Sequence, residues 1–475
     1  MMPVLWTSED AAAATGGRSS RPWQAGGVSI DSRTVAEHDL FVALRGPRFD
    51  GHDYVADALR RGAAAALVDS TPSGLDADAP LLVVDETQRG LEALAAAARN
   101  RSPARIAAVT GSVGKTGVKE ALRLVLGRQA ETAASAGNLN NQWGAPLSLT
   151  RLPRTARYGI FELGMNHAGE IEPLSRLVRP HVAVVTTIAP AHTEFFETIE
   201  AVADAKAEIF AGLEPDGIAV LNRDNRWFDR LAAAAQAAGA GRIVSFGAEA
   251  GATVRLTDFE SGEDGSVVSV DCDGRPLTFR VGAPGRHWVA NSLAVLATVS
   301  ALGASVEDAA AALVDVRPPQ GRGRRSILRV PGGDRGETFT LIDESYNASP
   351  EAVRAAFEVL ALASPSGHGR RIAVLGDMLE LGTEGRSLHE SLAGDLVRHP
   401  IDLVYAAGPL MAELYRALPP KMRGGHAADS AALAPLIAAV VRPGDVVLVK
   451  GSLGMGMARI VSALAADDEE TGRGG

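Results

Sequence analysis

One cysteine, Cys272, is all that the 475 residues contain. No intramolecular disulfide is possible, which fits a reducing compartment, and we expect a cytoplasmic protein. No apolar run reaches the ~18–20 residues of a membrane span. The first residues, M-M-P-V-L-W-T-S-E-D, carry acidic groups where a signal peptide would need basic ones. An excess of basic charge is also missing: Lys and Arg number 47 against 57 Asp and Glu, for a net charge of −10. That balance argues against nucleic acid or an anionic membrane as the main partner, so an anionic substrate would need local basic residues and metal ions. No solenoid-type repeat is visible. With 22% charged and 46% hydrophobic residues, the composition is that of a globular protein with room for about three domains.

What is present centres on Ala107–Thr116, A-A-V-T-G-S-V-G-K-T. An apolar strand runs into a tight loop, and the loop opens a helix, Thr116 to Leu126, with Val118, Leu122, Val125 and Leu126 on one face. Val109 stands where the full phosphate-loop pattern has its first glycine, so the match is to the shorter G-x-x-G-K-T form. Amides of Gly111, Ser112, Val113, Gly114, Lys115, Thr116 and Gly117, with the positive end of the helix dipole, make a polyphosphate site. Lys115 can neutralise the outer phosphates and the Thr116 hydroxyl can hold magnesium. This segment reads as a nucleoside triphosphate site.

Before that loop, short strand-like stretches (V-S-I-D-S-R, D-L-F-V-A-L-R-G, F-D-G-H-D-Y) place polar groups at their ends. Ser32, Arg33, Asp50 and His52 there are ligand candidates or solvated turn residues. After it come a loop rich in asparagine, A-G-N-L-N-N-Q-W-G-A-P, and a strand ending in Glu162, where a magnesium ligand is expected. His192 follows a buried parallel-type strand, at the edge where open α/β sheets bind ligands. Lys206 sits on a helix capped by Thr198 and by default is a solvated lysine. Residues 252–281 break into short strands split by E-D-G and D-G-R turns, which predicts a small antiparallel insert. R-P-P-Q-G-R-G-R-R (317–325) marks a basic domain boundary, after which βα alternation resumes. The predicted class is α/β in three domains, residues 1–102, 103–317 and 318–465, with a disordered tail over 466–475.

In this order, G-S-V-G-K-T, G-N-L-N-N, E-L-G-M-N-H-x-G-E-I, A-H-T-E-F-F, H-W-V-A-N-S, D-E-S-Y-N-A-S-P and G-D-M-L-E-L-G resemble the Mur ligases of bacterial cell-wall synthesis. The resemblance implies an N-terminal UDP-binding domain, a central P-loop ATPase domain and a C-terminal Rossmann-like domain. It implies an ATP-dependent amide-bond ligase acting through an acyl phosphate. Y-N-A-S-P, and the absence of D-N-P-R, point within the family to the step that joins D-alanyl-D-alanine to UDP-N-acetylmuramoyl-tripeptide. The family's other amide-forming members, those adding the third residue or polyglutamylating folate, are the nearest alternatives; a nucleotide-dependent regulator without ligase chemistry is a more distant one. By motif position, Lys115 would contact the β- and γ-phosphates. Thr116 and Glu162 would hold one magnesium ion; His192 and Lys206, the latter as N6-carboxylysine, would serve a second. Asn291 would meet adenine, and Arg322 and Asp343 the ribose or phosphates. Ser32, Arg33, Asp50 and His52 would bind the UDP part, with Asn138 and Asn141 near the sugar-peptide. A monomer is expected, with the 317–325 segment as a hinge.

Overall fold

The computed structural model describes residues 4–190, 193–334 and 336–472. His192 lies outside these. Three large sheets follow one another along the chain, with two two-stranded pairings, Trp6–Thr7 with Gln24–Ala25 and Arg45–Gly46 with Phe49–Asp50, beside the first. The first has four parallel strands, Gly27–Ser29, Asp39–Val42, Ala65–Val68 and Leu81–Val83, with the short Arg18–Ser19 added antiparallel at the edge. Its core gathers Trp6, Leu40, Val42, Leu67, Leu82 and Leu94. The helix Ser8–Thr15 that covers it begins as the sequence predicts: the Thr7 hydroxyl accepts from the Asp10 amide at 3.1 Å, and Gly16 ends it at φ +66°.

The second sheet has nine strands in the order Thr132–Ala134, Tyr158–Glu162, Arg105–Thr110, Val182–Val185, Ile218–Asn222, Arg242–Gly247, Val254–Gly262, Gly265–Cys272, Arg275–Val281. The first six are parallel and buried on both faces by helices, which explains their unbroken Val, Ile and Ala runs. The predicted small antiparallel insert is present as a meander, and it extends this same sheet through Phe246↔Val254 and Gly247↔Arg255 pairing. Periodicity showed its hairpins; the parallel join at its first strand is a tertiary fact.

The third sheet runs Arg324–Arg329, Thr338–Glu344, Val446–Lys450, Arg371–Gly376, Leu403–Ala407, Arg423–Ala427, parallel except for the first pair. Arg324 and Arg325 therefore belong to an edge strand, which shortens the expected linker. Arg325 also reaches back to the middle sheet, donating to the Glu263 carbonyl at 2.8 Å and pairing with its carboxylate. Where a structureless tail was expected from residue 466, the helix Ala458–Gly472 continues through most of it.

The first unit docks on the second through the helix Gly144–Thr150. Leu147 joins the N-terminal core, and Trp6 Nε1 donates to the Thr150 carbonyl at 3.0 Å. Among the described residues no helix is long and apolar enough to cross a membrane.

Candidate active site

Parallel pairing fixes where the chemistry gathers. Strand Arg105–Thr110 lies between Tyr158–Glu162 and Val182–Val185, and the register Val109↔Glu162 brings the Glu162 carboxylate to the level where the phosphate loop begins. All three strands deliver their C-terminal ends to one edge, where open parallel sheets place ligands. The loop turns on two glycines in left-handed conformations, Gly111 at φ +143° and Gly114 at φ +87°. A Cβ on Gly111 would stand 2.0 Å from Thr186 Oγ1, and one on Gly114 2.7 Å from Asn291 Oδ1. The loop is thus pressed against the next strand on one side and the helix Arg286–Ala301 on the other. It then opens Lys115–Gly127, whose Val118, Leu122, Val125 and Leu126 are all buried as their spacing predicts.

Inside this frame the Thr116 hydroxyl donates to Glu162 Oε2 at 2.8 Å, and the other carboxylate oxygen accepts from Asn140 Nδ2 at 2.9 Å. Lys115 folds back so that its ammonium donates to the carbonyls of Gly111 at 2.6 Å and Ser112 at 3.3 Å. Burial holds its pKa below the ordinary lysine value; the Glu162 charge opposes that shift and the Arg322 charge adds to it. Ser112 exchanges hydrogen bonds with Ala189, donating to its carbonyl at 2.9 Å and accepting from its amide at 3.0 Å. That ties the phosphate loop to the segment leading towards residue 192.

Lys206 is 1% exposed, on helix Ile199–Ala207. Its pKa is pushed well below the lysine value, chiefly by burial and then by the Lys115 charge, with Glu208 opposing. Glu208 itself caps the helix Ile171–Val178, accepting the amides of Gly169, Ile171 and Glu172 at 2.6–3.2 Å. The solvated lysine of the default reading is therefore set aside: Lys206 is a buried amine that feels the charge of the phosphate-loop lysine.

A cleft of about 840 Å³ separates the middle and C-terminal units, and its walls include Lys115, Glu162, Asn291, Arg322, Glu344 and Lys450. Arg322 lies over the Tyr346 ring, 4.1 Å from its centre. Asn138 and Asn141 also reach the cleft, but the Asn141 side chain caps a helix start, accepting amides of Trp143 at 3.2 Å and Gly144 at 2.9 Å. Asp343 does not line the cleft: it accepts from the Gly321 amide at 2.9 Å and from the Ser345 amide and hydroxyl at 3.1 and 2.6 Å. Its neighbour Glu344 faces the cleft instead, paired with Lys450 at 3.0 Å.

Ser32, Arg33, Asp50 and His52 do not line this cleft. Arg33 forms a two-point ion pair with Asp31. His52 is buried between Asp50, to which Nδ1 lies at 2.6 Å, and Asp69, and Arg45 bridges the same two carboxylates. Two residues at the centre escaped sequence reasoning. Asn140, the middle asparagine of the run, holds Glu162. Lys119 is fully buried and bound to loop carbonyls; its exposed-looking V-K-E context gave no signal.

A hard divalent cation takes oxygen donors, and magnesium characteristically uses one or two carboxylates together with phosphates and water. The adjoining Thr116 hydroxyl and Glu162 carboxylate, beside a phosphate loop, fit such an ion. Among the described residues no group of three or more His, Cys, Asp or Glu side chains is assembled.

Fold and site together define a three-domain α/β protein built to hold a polyphosphate at the edge of its central sheet. Comparison with known proteins narrows this. Models of the Mur ligase family match three segments: the catalytic domain at residues 24–103, the middle domain at 109–299 and the glutamate ligase domain at 329–453. The UDP-N-acetylmuramoyl-tripeptide–D-alanyl-D-alanine ligase of Escherichia coli is 36% identical over 441 residues, 92% of this chain and 93% of that one. The protein of the same name from Rickettsia prowazekii is 31% identical, covering 96% and 99%. A crystal structure of MurF from Acinetobacter baumannii superposes with a TM-score of 0.81 at 30% identity, covering 97% of this chain and 99% of that one. MurF from Thermotoga maritima, solved in complex with ADP, gives 0.73 at 28% identity, covering 94% and 98%. The chain belongs to the Mur ligase family.

Proposed function

We propose that this protein uses ATP to join D-alanyl-D-alanine to UDP-N-acetylmuramoyl-tripeptide. The observation that carries the reading is the Thr116–Glu162 pair, 2.8 Å apart beside the phosphate loop, in a cleft with walls from two domains. The relatives' shared name supplies the acceptor and donor.

The reaction brings anions together twice. The tripeptide carboxylate attacks the γ-phosphate to give an acyl phosphate and ADP, and the dipeptide amine then displaces phosphate. Lys115 leaves the Gly111 and Ser112 carbonyls for the β- and γ-phosphates, and Arg322 reaches the same nucleotide from the C-terminal domain. Asn291, against Gly114, meets the adenine side. Thr116 and Glu162 would hold a magnesium ion, which would supply charge neutralisation at the phosphates. The buried Lys206 amine, its pKa pushed well below the ordinary lysine value by burial, is suited to carbamylation, and the carbamate would add an oxygen ligand that an ammonium cannot. His192 would complete a second metal site.

The incoming amine must be held and must lose a proton. Two buried acceptors without partners among the described residues line the cleft for this, His287 Nδ1 and Glu351 Oε2. Burial lowers the His287 pKa, keeping the ring neutral, and raises that of Glu351. Asn138 faces the sugar-peptide, and the cluster of Ser32, Arg33, Asp50 and His52 receives the distant UDP end. The enzyme is proposed to act as a monomer.

Phosphate release from ATP and magnesium, measured with the nucleotide tripeptide and with the dipeptide present or withheld, tests this reading. Release that requires both supports the ligase. Release indifferent to the dipeptide but responsive to a folate or a single amino acid removes the substrate assignment.

A further inference from the structure

Lys119 lies one helical turn beyond Lys115 and three residues beyond Thr116. The side chain is 0% exposed. A buried ammonium is strongly disfavoured unless its charge is paired and its N–H groups are bonded. Here three acceptors receive them: the Ser135 carbonyl at 2.8 Å, the Gly137 carbonyl at 3.0 Å and Glu120 Oε1 at 2.7 Å. Glu120 is shared with Arg123 at 2.8 Å, and its hydrogen bonds to both cations hold its pKa below the ordinary value against the effect of burial. The charge is thus neutralised on the helix, while two of its three bonds go to the main chain entering G-N-L-N-N.

From that segment, two bonds run to the main chain at Glu162 and Gly164 and one to the metal-side carboxylate. Ser135 Oγ accepts from the Glu162 amide at 3.1 Å. The Asn140 carbonyl accepts from the Gly164 amide at 2.9 Å, and Asn140 Nδ2 donates to Glu162 Oε1 at 2.9 Å. With one oxygen occupied in this way, the other is left towards Thr116. The phosphate-loop helix therefore grips the asparagine loop, and the loop grips Glu162.

We propose that Lys119 is a positioning residue for the reaction centre: by pinning the carbonyls of Ser135 and Gly137 it fixes Asn140, and through Asn140 the orientation of Glu162. The proposal rests on the reading of Thr116 and Glu162 as the metal-side pair. An apolar side chain of similar length would fill the space and keep the helix packed, but would leave two buried carbonyls unpaired at the base of the loop.

The test uses the full chain and two readouts that need no turnover. Hydrogen exchange reports on the amides of residues 135–141, and electron paramagnetic resonance of Mn²⁺ titrated into the enzyme with ADP reports metal affinity. Lys119→Met should speed exchange across residues 135–141, leave helix Lys115–Gly127 protected, and weaken Mn²⁺ binding about 10- to 100-fold, the usual effect of losing an outer-shell partner. Asn140→Ala should weaken Mn²⁺ binding similarly while the Lys119 bonds to the loop persist. If Lys119→Met fails to fold, Lys119→Gln, which keeps two N–H donors on a shorter side chain, should show an intermediate effect on both readouts. Unchanged exchange and unchanged Mn²⁺ affinity in the Lys119 variants, or wild-type affinity in Asn140→Ala, overturns the proposal. Thr116→Ala and Glu162→Gln separate the two layers. If these weaken Mn²⁺ binding and the Lys119 variants do not, the positioning role falls alone; if these too bind normally, the metal-side reading falls with it.

Discussion

Replacing Gly111 with alanine should damage nucleotide binding far more than one methyl group suggests. Its Cβ would sit 2.0 Å from Thr186 Oγ1 and 3.2 Å from the Thr186 amide nitrogen, where contact distances are roughly 3.5 Å. Rotating the threonine away breaks its bond to the Val113 carbonyl at 2.6 Å, leaving a loop carbonyl unpaired at a cost of about 1–3 kcal/mol. Holding an alanine at φ +143° adds roughly 1–2 kcal/mol. If the loop must recover its shape to bind, about 2–5 kcal/mol is lost from binding, or roughly 30- to 3,000-fold in affinity. Equilibrium titration with a fluorescent ATP analogue measures this, with circular dichroism confirming the fold. Gly127→Ala is the control: it ends the same helix, and its Cβ would meet nothing within 4 Å, so binding should be unchanged. Affinity of Gly111→Ala within about threefold of the parent would refute the steric argument.

Three further outcomes follow from other parts of the molecule. Lys206→Gln should abolish turnover, and native mass spectrometry of the parent should show a carboxyl adduct that depends on bicarbonate; full activity after its complete removal would exclude a carbamate role. His389 is buried, with Nδ1 at the Gly385 carbonyl and Nε2 accepting from the Met378 amide at 2.9 Å, and burial lowers its pKa. The unfolded chain therefore takes up this proton first, so its contribution is complete above about pH 6.5 and is lost as pH falls from there through the lower folded pKa. Denaturant titrations at neutral and mildly acidic pH should show an acid loss that His389→Gln reduces; equal losses in both would assign it elsewhere. Small-angle scattering should show compaction on adding an ATP analogue with the nucleotide tripeptide, since cleft residues come from two domains. An unchanged radius of gyration would rule out closure.

Local chemistry explains which parts were readable in the sequence. Gly111, Gly114, Lys115 and Thr116 announced themselves because a loop of that conformation admits few residue types, and Glu162 because it ends an apolar run. Thr7, Thr198 and Pro350 marked helix starts by mechanisms confined to a few residues. Partnerships between distant segments were invisible. Lys119 has the pattern of a surface lysine until the Ser135–Gly137 main chain is placed over it. Asp343 and Glu344 are neighbours on one strand and point to opposite faces, and only the assembled sheet shows that Glu344 takes the cleft side. Arg324 and Arg325 looked like linker because arginines suit both a boundary and an edge strand; pairing with Thr338–Glu344 decides.

The central claim is that this cleft joins a dipeptide to a nucleotide-linked tripeptide at the expense of ATP. Its most direct test is the mass of the product formed with UDP-N-acetylmuramoyl-tripeptide, ATP and magnesium when D-alanyl-D-alanine competes with diaminopimelate, lysine and glutamate. A single new species heavier by one dipeptide residue unit, formed with one ADP per molecule, is the predicted result. A product carrying a single amino acid, or ATP consumption with no nucleotide product, would contradict the account.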